Sequence, residues 1–587
     1  MAKRRAVRPV TRRGTRAAPT APPVPVAAYE AVCRGLIVHA APMQPDDARA
    51  QAIAQAAVTD ALGADWLVTP LGPGARDYRA TPSTGKNLNT GRAWTLTRKL
   101  RAHRDVADAE PAIEQPGLEP PPGLVEDRQP LRPGMAARGF SAAVPLPCAT
   151  ADVEWSLDLC RVKQAWALTP PTPAGRARGE GIVVGHPDTG YTRHAEIWDT
   201  TPRIRASDSF DFVTRQPDAV DPLEQGNPGH GTTTASVIMS STGGAGQRFV
   251  SGLAPAATLI PLRVTPRVVL LGFDRLAEAI HYATDRGCHV ISMSLGGVTP
   301  SGALERAITR AVQHGVIVLA AAGNVWPWVV YPARYDQVIA CAACNCQRKV
   351  WKNSASGDTV DVTAPGESVW VARPGTDAGQ GDDTVGPGSG TSYAVATTAG
   401  ACALWLAFHG RDALISRYGA GQLAAVFKEV LMTAGVDTPP GWRTDKHGAG
   451  ILDVEKLLQA PLPATPPASG LRVRASPVAR RENDVDQLMA YFPEEEPARI
   501  RRGLVRLLRT TDRDLPAVLA DLGDELIFHV ATNPELRARV LQSSVGARPG
   551  PKKRGRVITT RAAPRAGRAQ SRLSRESSPA LLSRIGV

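Results

Sequence analysis

The sequence predicts an α/β protein. A parallel sheet with helices on both faces is preceded by a small α+β unit and followed by a small helical module. Two observations carry this reading. In the middle of the chain, strand-like apolar runs alternate with helical ones: Thr258 to Val264, a helix near Phe273 to Arg286, His289 to Leu295, a helix near Ala303 to His314, then Val316 to Ala322. Such alternation builds a parallel sheet whose strands are buried on both faces. The chain is also 587 residues long, too long for one ordinary core, and Pro-rich breaks divide it.

Taken in order, residues 1–32 read as a basic disordered tail and residues 33–115 as the α+β unit. Within that unit Gly35 to His39 and Trp94 to Thr97 are strand-like. Asp46 to Leu62 is an Ala-rich helix, and Ala107 to Pro111 closes the unit. Residues 116–150 are rich in Pro and Gly and read as an exposed linker. The catalytic-type core spans 151–458 and a second Pro-rich linker 459–480. Residues 481–543 carry Leu and Val at helical spacing, as in Ala498 to Leu508, and read as a helical module. Residues 544–587 are a second basic tail, expected to be disordered.

Chemistry concentrates in four short blocks of the core. Val184-Gly185-His186-Pro187-Asp188-Thr189-Gly190 follows the apolar run Gly181 to Val184, which places Asp188 at the carboxyl end of a strand. Ligands and chemistry gather there in open parallel sheets. Gly229-His230-Gly231-Thr232 and Gly390-Thr391-Ser392-Tyr393-Ala394 each open a run of small residues that reads as a buried helix. The fourth block, Val316 to Ala322 then Gly323-Asn324, is an apolar strand ending abruptly in Gly-Asn. A serine hydroxyl needs a base, and the base needs an orienting group. Ser392 is therefore the candidate nucleophile, His230 the base and Asp188 its orienter. The Asn324 amide and the Ser392 N–H are candidate donors to an oxyanion.

The residues from about Trp155 to Leu457 resemble the subtilases, the subtilisin-like serine proteases. The likeness rests on the four blocks, on their Asp, His, Ser order and on Ile291 to Gly297. Val330-Tyr331-Pro332-Ala333, Val362 to Gly366 and the entry Trp155 to Trp166 match as well. The resemblance implies a subtilisin-like fold, a serine endopeptidase activity on polypeptide substrates, and catalytic roles for Asp188, His230, Ser392 and Asn324. It further implies substrate contacts from Ser294, Leu295, Gly296, Ala321 and Gly323, whose small side chains permit many side chains beside the cut. Tyr393 and Thr397 stand where the family often has Met and Pro. The related acid-active sedolisins replace the base with a carboxylate, so His230 argues against them. Residues 33–115 resemble, more loosely, the propeptide that holds such enzymes as zymogens. The competing reading is a catalytically silent subtilase-fold binding or regulatory protein.

Other residues carry plainer expectations. His186 and His194 flank Asp188 and are read as loop histidines rather than bases. Trp326 and Trp328 either line the cleft or anchor their loop. No cofactor is expected to be required. Subtilases often bind calcium, and Asp199, Asp208, Asp211, Asp218 and Asp221 could contribute ligands, but no specific calcium motif is present. Cys341, Cys344 and Cys346 lack a second Cys/His pair at zinc spacing, so buried thiols are expected and no metal site.

The net charge of +14 belongs to the tails, since the first 28 residues hold +7 and residues 541–587 hold +10. Such tails can touch nucleic acid nonspecifically, but solvated tails without a dedicated partner are the expectation. The helical module is a candidate surface for a protein partner. With no signal-type apolar stretch and no run long enough to span a membrane, a cytoplasmic enzyme is expected, export by another route remaining open.

Overall fold

A computed structural model describes residues 31–41, 47–72, 76–114, 153–198, 203–224, 226–241, 250–324, 326–375, 384–467, 488–489, 491–492, 495–542 and 572–587. The expected linker 116–150 and most of both tails lie outside the described residues.

The core holds a ten-stranded sheet. From one edge its order is Val436–Asp437, Ile451–Leu452, Val362–Pro365, Ile339–Cys344, Ile317–Ala321, Val290–Met293, Val183–Asp188, Thr258–Arg263, Phe210–Asp211 and Gln216–Pro217. Eight neighbouring strands run parallel, and one antiparallel strand closes each edge, so the sheet is mixed at its margins. Ile317–Ala321 and Ile339–Cys344 are buried throughout, as expected for strands covered on both faces.

Two helices, His230–Met239 and Thr391–His409, cover one face. The second is apolar all round and wholly buried. It is long and apolar enough to cross a membrane by length and composition, and here it is a core helix. Asp274–Asp285, Gly302–Gln313 and Leu423–Thr433 cover the other face. Gly302–Gln313 starts where the Ser301 side chain accepts from the Leu304 N–H, and it buries Ala303, Leu304, Ala307, Ile308 and Ala311 at helical spacing.

The N-terminal unit is an antiparallel sheet of Val32–Ala40, Trp66–Pro70, Asp77–Pro82, Leu88–Asn89 and Val106–Glu114, with helices Asp47–Leu62 and Thr90–Arg101 against it. Trp94 to Thr97 are helical, not the expected strand. Asn89 caps the helix by accepting from the Arg92 N–H, and Thr90, Ala93, Trp94, Thr97 and Leu100 make its buried stripe. The unit docks on the core through Arg79 with Asp274 (2.8 Å), Arg306 with Asp77 (2.6 Å) and Glu110, which accepts from the Ser301 hydroxyl (2.5 Å) and the Gly302 N–H (2.7 Å).

The helical module contains Pro497–Leu507, Leu515–Thr532 and Pro534–Leu541. It packs on this same chain. Leu488, Tyr491, Leu504, Leu526 and Leu581 share an apolar cluster with Val298 and Val330 of the core. Trp94 of the N-terminal unit and Leu271 of the core pack with Phe528. The expectation of a disordered C-terminal tail fails for its end, because Arg572–Glu576 and Pro579–Ile585 are helices. Ser578 caps the second of them, and Leu581 and Ile585 give it an apolar face to bury.

Candidate active site

Asp188 is the last residue of its strand and His230 the first of its helix. Gly229 sits at φ 74° in the turn before His230, a left-handed conformation that glycine takes without a Cβ penalty. Gly231 lets the helix approach the Asp188 loop closely, since a Cβ there would lie 1.9 Å from the Gly190 carbonyl oxygen. Asp188 and His230 are 0% exposed and Ser392 is 3% exposed.

The three side chains are in line. His230 Nδ1 lies 2.7 Å from Asp188 Oδ1, and His230 Nε2 lies 3.1 Å from Ser392 Oγ. A carboxylate only accepts, so Nδ1 carries the proton and Nε2 is left to accept from the serine hydroxyl. Asp188 Oδ1 also accepts from the Thr189 N–H (2.7 Å). Burial alone would raise the Asp188 carboxyl, but the His230 ring outweighs it and holds the group below its ordinary value. Ser392 opens the Thr391–His409 helix, whose positive end favours negative charge developing nearby.

Asn324 reaches the same place. Its Oδ1 accepts from the Thr391 N–H (2.9 Å) and the Thr391 hydroxyl (2.7 Å), which fixes the amide and directs its NH₂ elsewhere. Thr391 lies within the Gly-Thr-Ser block, but nothing in the sequence marks it as the residue that orients Asn324. The candidate substrate residues divide. Ser294 donates its hydroxyl to the Ser392 carbonyl (3.0 Å), and Gly323 donates its N–H to the Thr391 hydroxyl (3.1 Å), so both flank the nucleophile. Gly296 N–H donates to the Val268 carbonyl (2.9 Å), pairing Gly296–Gly297 with Val269–Leu270. Leu295 and Ala321 are 2% and 5% exposed and belong to the core cluster, so their side chains serve packing.

The flanking residues are also placed. His186 is buried behind Asp188, with Nε2 3.0 Å from Thr234 Oγ1 and 3.9 Å from Asp188 Oδ2. Burial lowers its pKa against the pull of Asp188. His194 contacts the Thr384 carbonyl (2.9 Å). Trp326 and Trp328 anchor their loop against the helical module, Trp328 edge-on to Tyr491 with centroids 5.5 Å apart.

Asp199 lies outside the described residues. Asp208 pairs with Arg205 and Arg286, Asp211 with Arg263, Asp218 accepts from Tyr191, and Asp221 accepts from Thr189 and the Gly229 N–H. Among the described residues no group of three or more His, Cys, Asp or Glu is placed to hold a metal ion. Cys341 and Cys344 are buried free thiols, whereas Cys346, expected to be a third, is disulfide-bonded.

The part of the chain that holds this geometry is similar to known proteins. The profile of the subtilase family matches residues 179–447. An alkaline protease of Shouchella clausii is 32% identical over 269 residues, 45% of this chain, and the chain spans 65% of that relative's length. Subtilisin Savinase of Lederbergia lenta is 34% identical over 236 residues, covering 40% of this chain and 80% of the relative. Among solved structures, that of fervidolysin from Fervidobacterium pennivorans, described as a keratinolytic enzyme related to subtilisin, superposes with a TM-score of 0.53 at 22% identity. The match covers 74% of this chain and 62% of that one, and it shows the shared fold. The chain belongs to the subtilase family of serine endopeptidases.

Proposed function

We propose that the protein hydrolyses peptide bonds in polypeptide substrates through an acyl-enzyme formed on Ser392. One observation carries the reading: His230 bridges Asp188 at 2.7 Å and Ser392 at 3.1 Å in a buried line. In the first half-reaction His230 takes the hydroxyl proton as Ser392 Oγ attacks the carbonyl, then gives it to the leaving amine. Asp188 holds the ring in the required tautomer and stabilises the imidazolium. The Asn324 amide and the Ser392 N–H serve the oxyanion. Water repeats the sequence to release the acid.

The N-terminal unit acts in this proposal as a propeptide that keeps the enzyme a zymogen until the 116–150 linker is cut. In support, Val106–Glu114 ends against the core, with Glu114 paired to Arg275 at 2.6 Å. Labelling with a fluorophosphonate probe, compared with Ser392→Ala, tests the reading. Wild-type protein should be labelled once the N-terminal unit is removed and the variant should not. Failure to label would make this a subtilase-fold protein that no longer cuts.

A further inference from the structure

We infer that Val330 closes the pocket beside Ser392 and restricts the residue on the acyl side of the cut bond to small side chains. This rests on the proposed protease reading and deepens it.

Two strand ends form the walls. Val290–Met293 and Ile317–Ala321 are paired in parallel up to Met293 and Ala320. Beyond that point one chain continues through Ser294 to Gly296 and the other through Ala322 to Gly323. Each wall is tied to the nucleophile's helix, Ser294 through the Ser392 carbonyl and Gly323 through the Thr391 hydroxyl. The space between Gly296 and Gly323 therefore opens directly beside the reacting serine.

By composition this space would be wide, since two of its lining residues have no side chain. The chain returns to fill it. Val330 N–H donates to the Ala322 carbonyl (2.9 Å), and Tyr331 exchanges two hydrogen bonds of 2.8 Å with Gly297, so residues 330 and 331 bridge the walls. The isopropyl group of Val330 then lies between the glycines. A Cβ built on Gly296 would stand 2.8 Å from Val330 Cγ2, and one on Gly323 would stand 3.2 Å from Cγ1 and 3.3 Å from Cγ2.

Nor can this group readily move aside. A β-branched side chain is stiff at χ1. Val330 is 5% exposed and packs in one cluster with Val298, Leu488 and Tyr491, and Tyr491 donates its hydroxyl to the Val298 carbonyl. The helical module thus backs the pocket floor. A methyl or hydroxymethyl group fits between the glycines above Val330, whereas a Leu, Phe, Lys or Arg side chain must displace packed atoms, at the cost that overpacking carries.

Fluorogenic peptides differing only between Ala and Phe on the acyl side test this on the protein folded as the full chain and then freed of its N-terminal unit by cutting the linker, once fluorophosphonate labelling has established that Ser392 reacts. The expected kcat/KM for Ala exceeds that for Phe at least tenfold, within the range of about 10–200-fold that pocket size confers. Val330→Ala should narrow the ratio at least tenfold through a rise in Phe cleavage, and Val330→Thr, of nearly the same shape, should keep it. A labelled wild-type enzyme that cleaves Phe as well as Ala overturns the pocket assignment and leaves the protease reading standing. Absence of labelling overturns both. If Val330→Ala does not fold, the wild-type ratio alone decides.

Discussion

Arg98 of the N-terminal unit and Glu525 of the helical module meet at 2.8 Å, on a carboxylate whose side chain is 1% exposed. The same carboxylate accepts from the N–H and the hydroxyl of Ser578, at 2.6 and 2.8 Å. One buried charge therefore joins three parts of the chain that are distant in sequence. Nearby, Arg101 pairs with Asp524, and Asn89 Nδ2 donates to the Arg575 carbonyl at 2.9 Å. The helical module holds the N-terminal unit as well as the core.

Removing Arg98 leaves the Glu525 carboxyl buried with only its Ser578 hydrogen bonds, and since burial already raises its pKa, the cost falls below the roughly 3–5 kcal/mol of a wholly uncompensated charge. Arg98→Ala should lower the denaturant midpoint of the full chain. It should also speed loss of the N-terminal unit once the linker is cut. Arg98→Ala combined with Glu525→Gln should recover part of the stability. Denaturant unfolding and size-exclusion chromatography measure the two effects, and an unchanged release rate in Arg98→Ala would rule out the clasp.

At the reacting centre, Asp188→Asn preserves shape but lets His230 adopt the wrong tautomer. A fall in kcat of about 10⁴-fold is expected. Asn324→Ala should cost about 10²–10³-fold, a magnitude taken from subtilisin. In both variants the KM for a peptide substrate should change little, because each lost interaction belongs to the transition state. Steady-state kinetics with matched circular dichroism distinguishes this from unfolding.

The four blocks that the fold brings together were legible because their signals are local: a strand or helix terminus marked by glycine beside a residue able to take part in acyl transfer. Trp94 to Thr97 misled because aromatic and β-branched residues favour strands in isolation. Only the asparagine cap and the buried stripe from Thr90 to Leu100 show the helix. The last residues end a strongly basic stretch, and their partners lie far away in sequence: Ser577 and Ser578 meet His529 and Glu525, and Leu581 and Ile585 join the cluster of Leu504 and Leu526. Val330 reads as one more valine in an apolar run. That it stands between two glycines is a property of the fold alone.

Behind the triad, Thr234 Oγ1 lies 3.5 Å from Asp188 Oδ2 and 3.0 Å from His186 Nε2. These groups place polar hydrogens beside the carboxylate oxygen that His230 does not use. Thr234→Val should lower kcat about fivefold, the worth of one hydrogen bond of about 1 kcal/mol, with KM unchanged. Thr234→Ser should restore most of it. Equal rates in wild type and Thr234→Val would show that the hydroxyl serves only the backbone of its own helix, where the His230 and Gly231 carbonyls lie 3.1 and 3.2 Å away.

Docking of the N-terminal unit should depend on pH through two carboxyls with opposite behaviour. Glu110 is pushed up to about 7 by burial and by the neighbouring Asp108, against the pull of Arg306 and the Ser301 and Gly302 hydrogen bonds. In the released unit it returns towards its ordinary value of 4.5, so docking takes up a proton between those limits and weakens as pH rises from 4.5 to about 7. Asp77 is the reverse: burial would raise it, but Arg306 and His39 outweigh burial and hold it well below 3.8. Its contribution is present above 3.8 and is lost as pH falls through its lowered value. Retention of the cut unit should therefore be strongest near the ordinary carboxyl range, just above 4, decline as pH rises to about 7 and level off above it. Glu110→Gln should flatten that decline without altering the loss at strong acid. Size-exclusion chromatography of the linker-cleaved protein across this range reads both effects, and a wild-type decline that persists in Glu110→Gln assigns the dependence to another group.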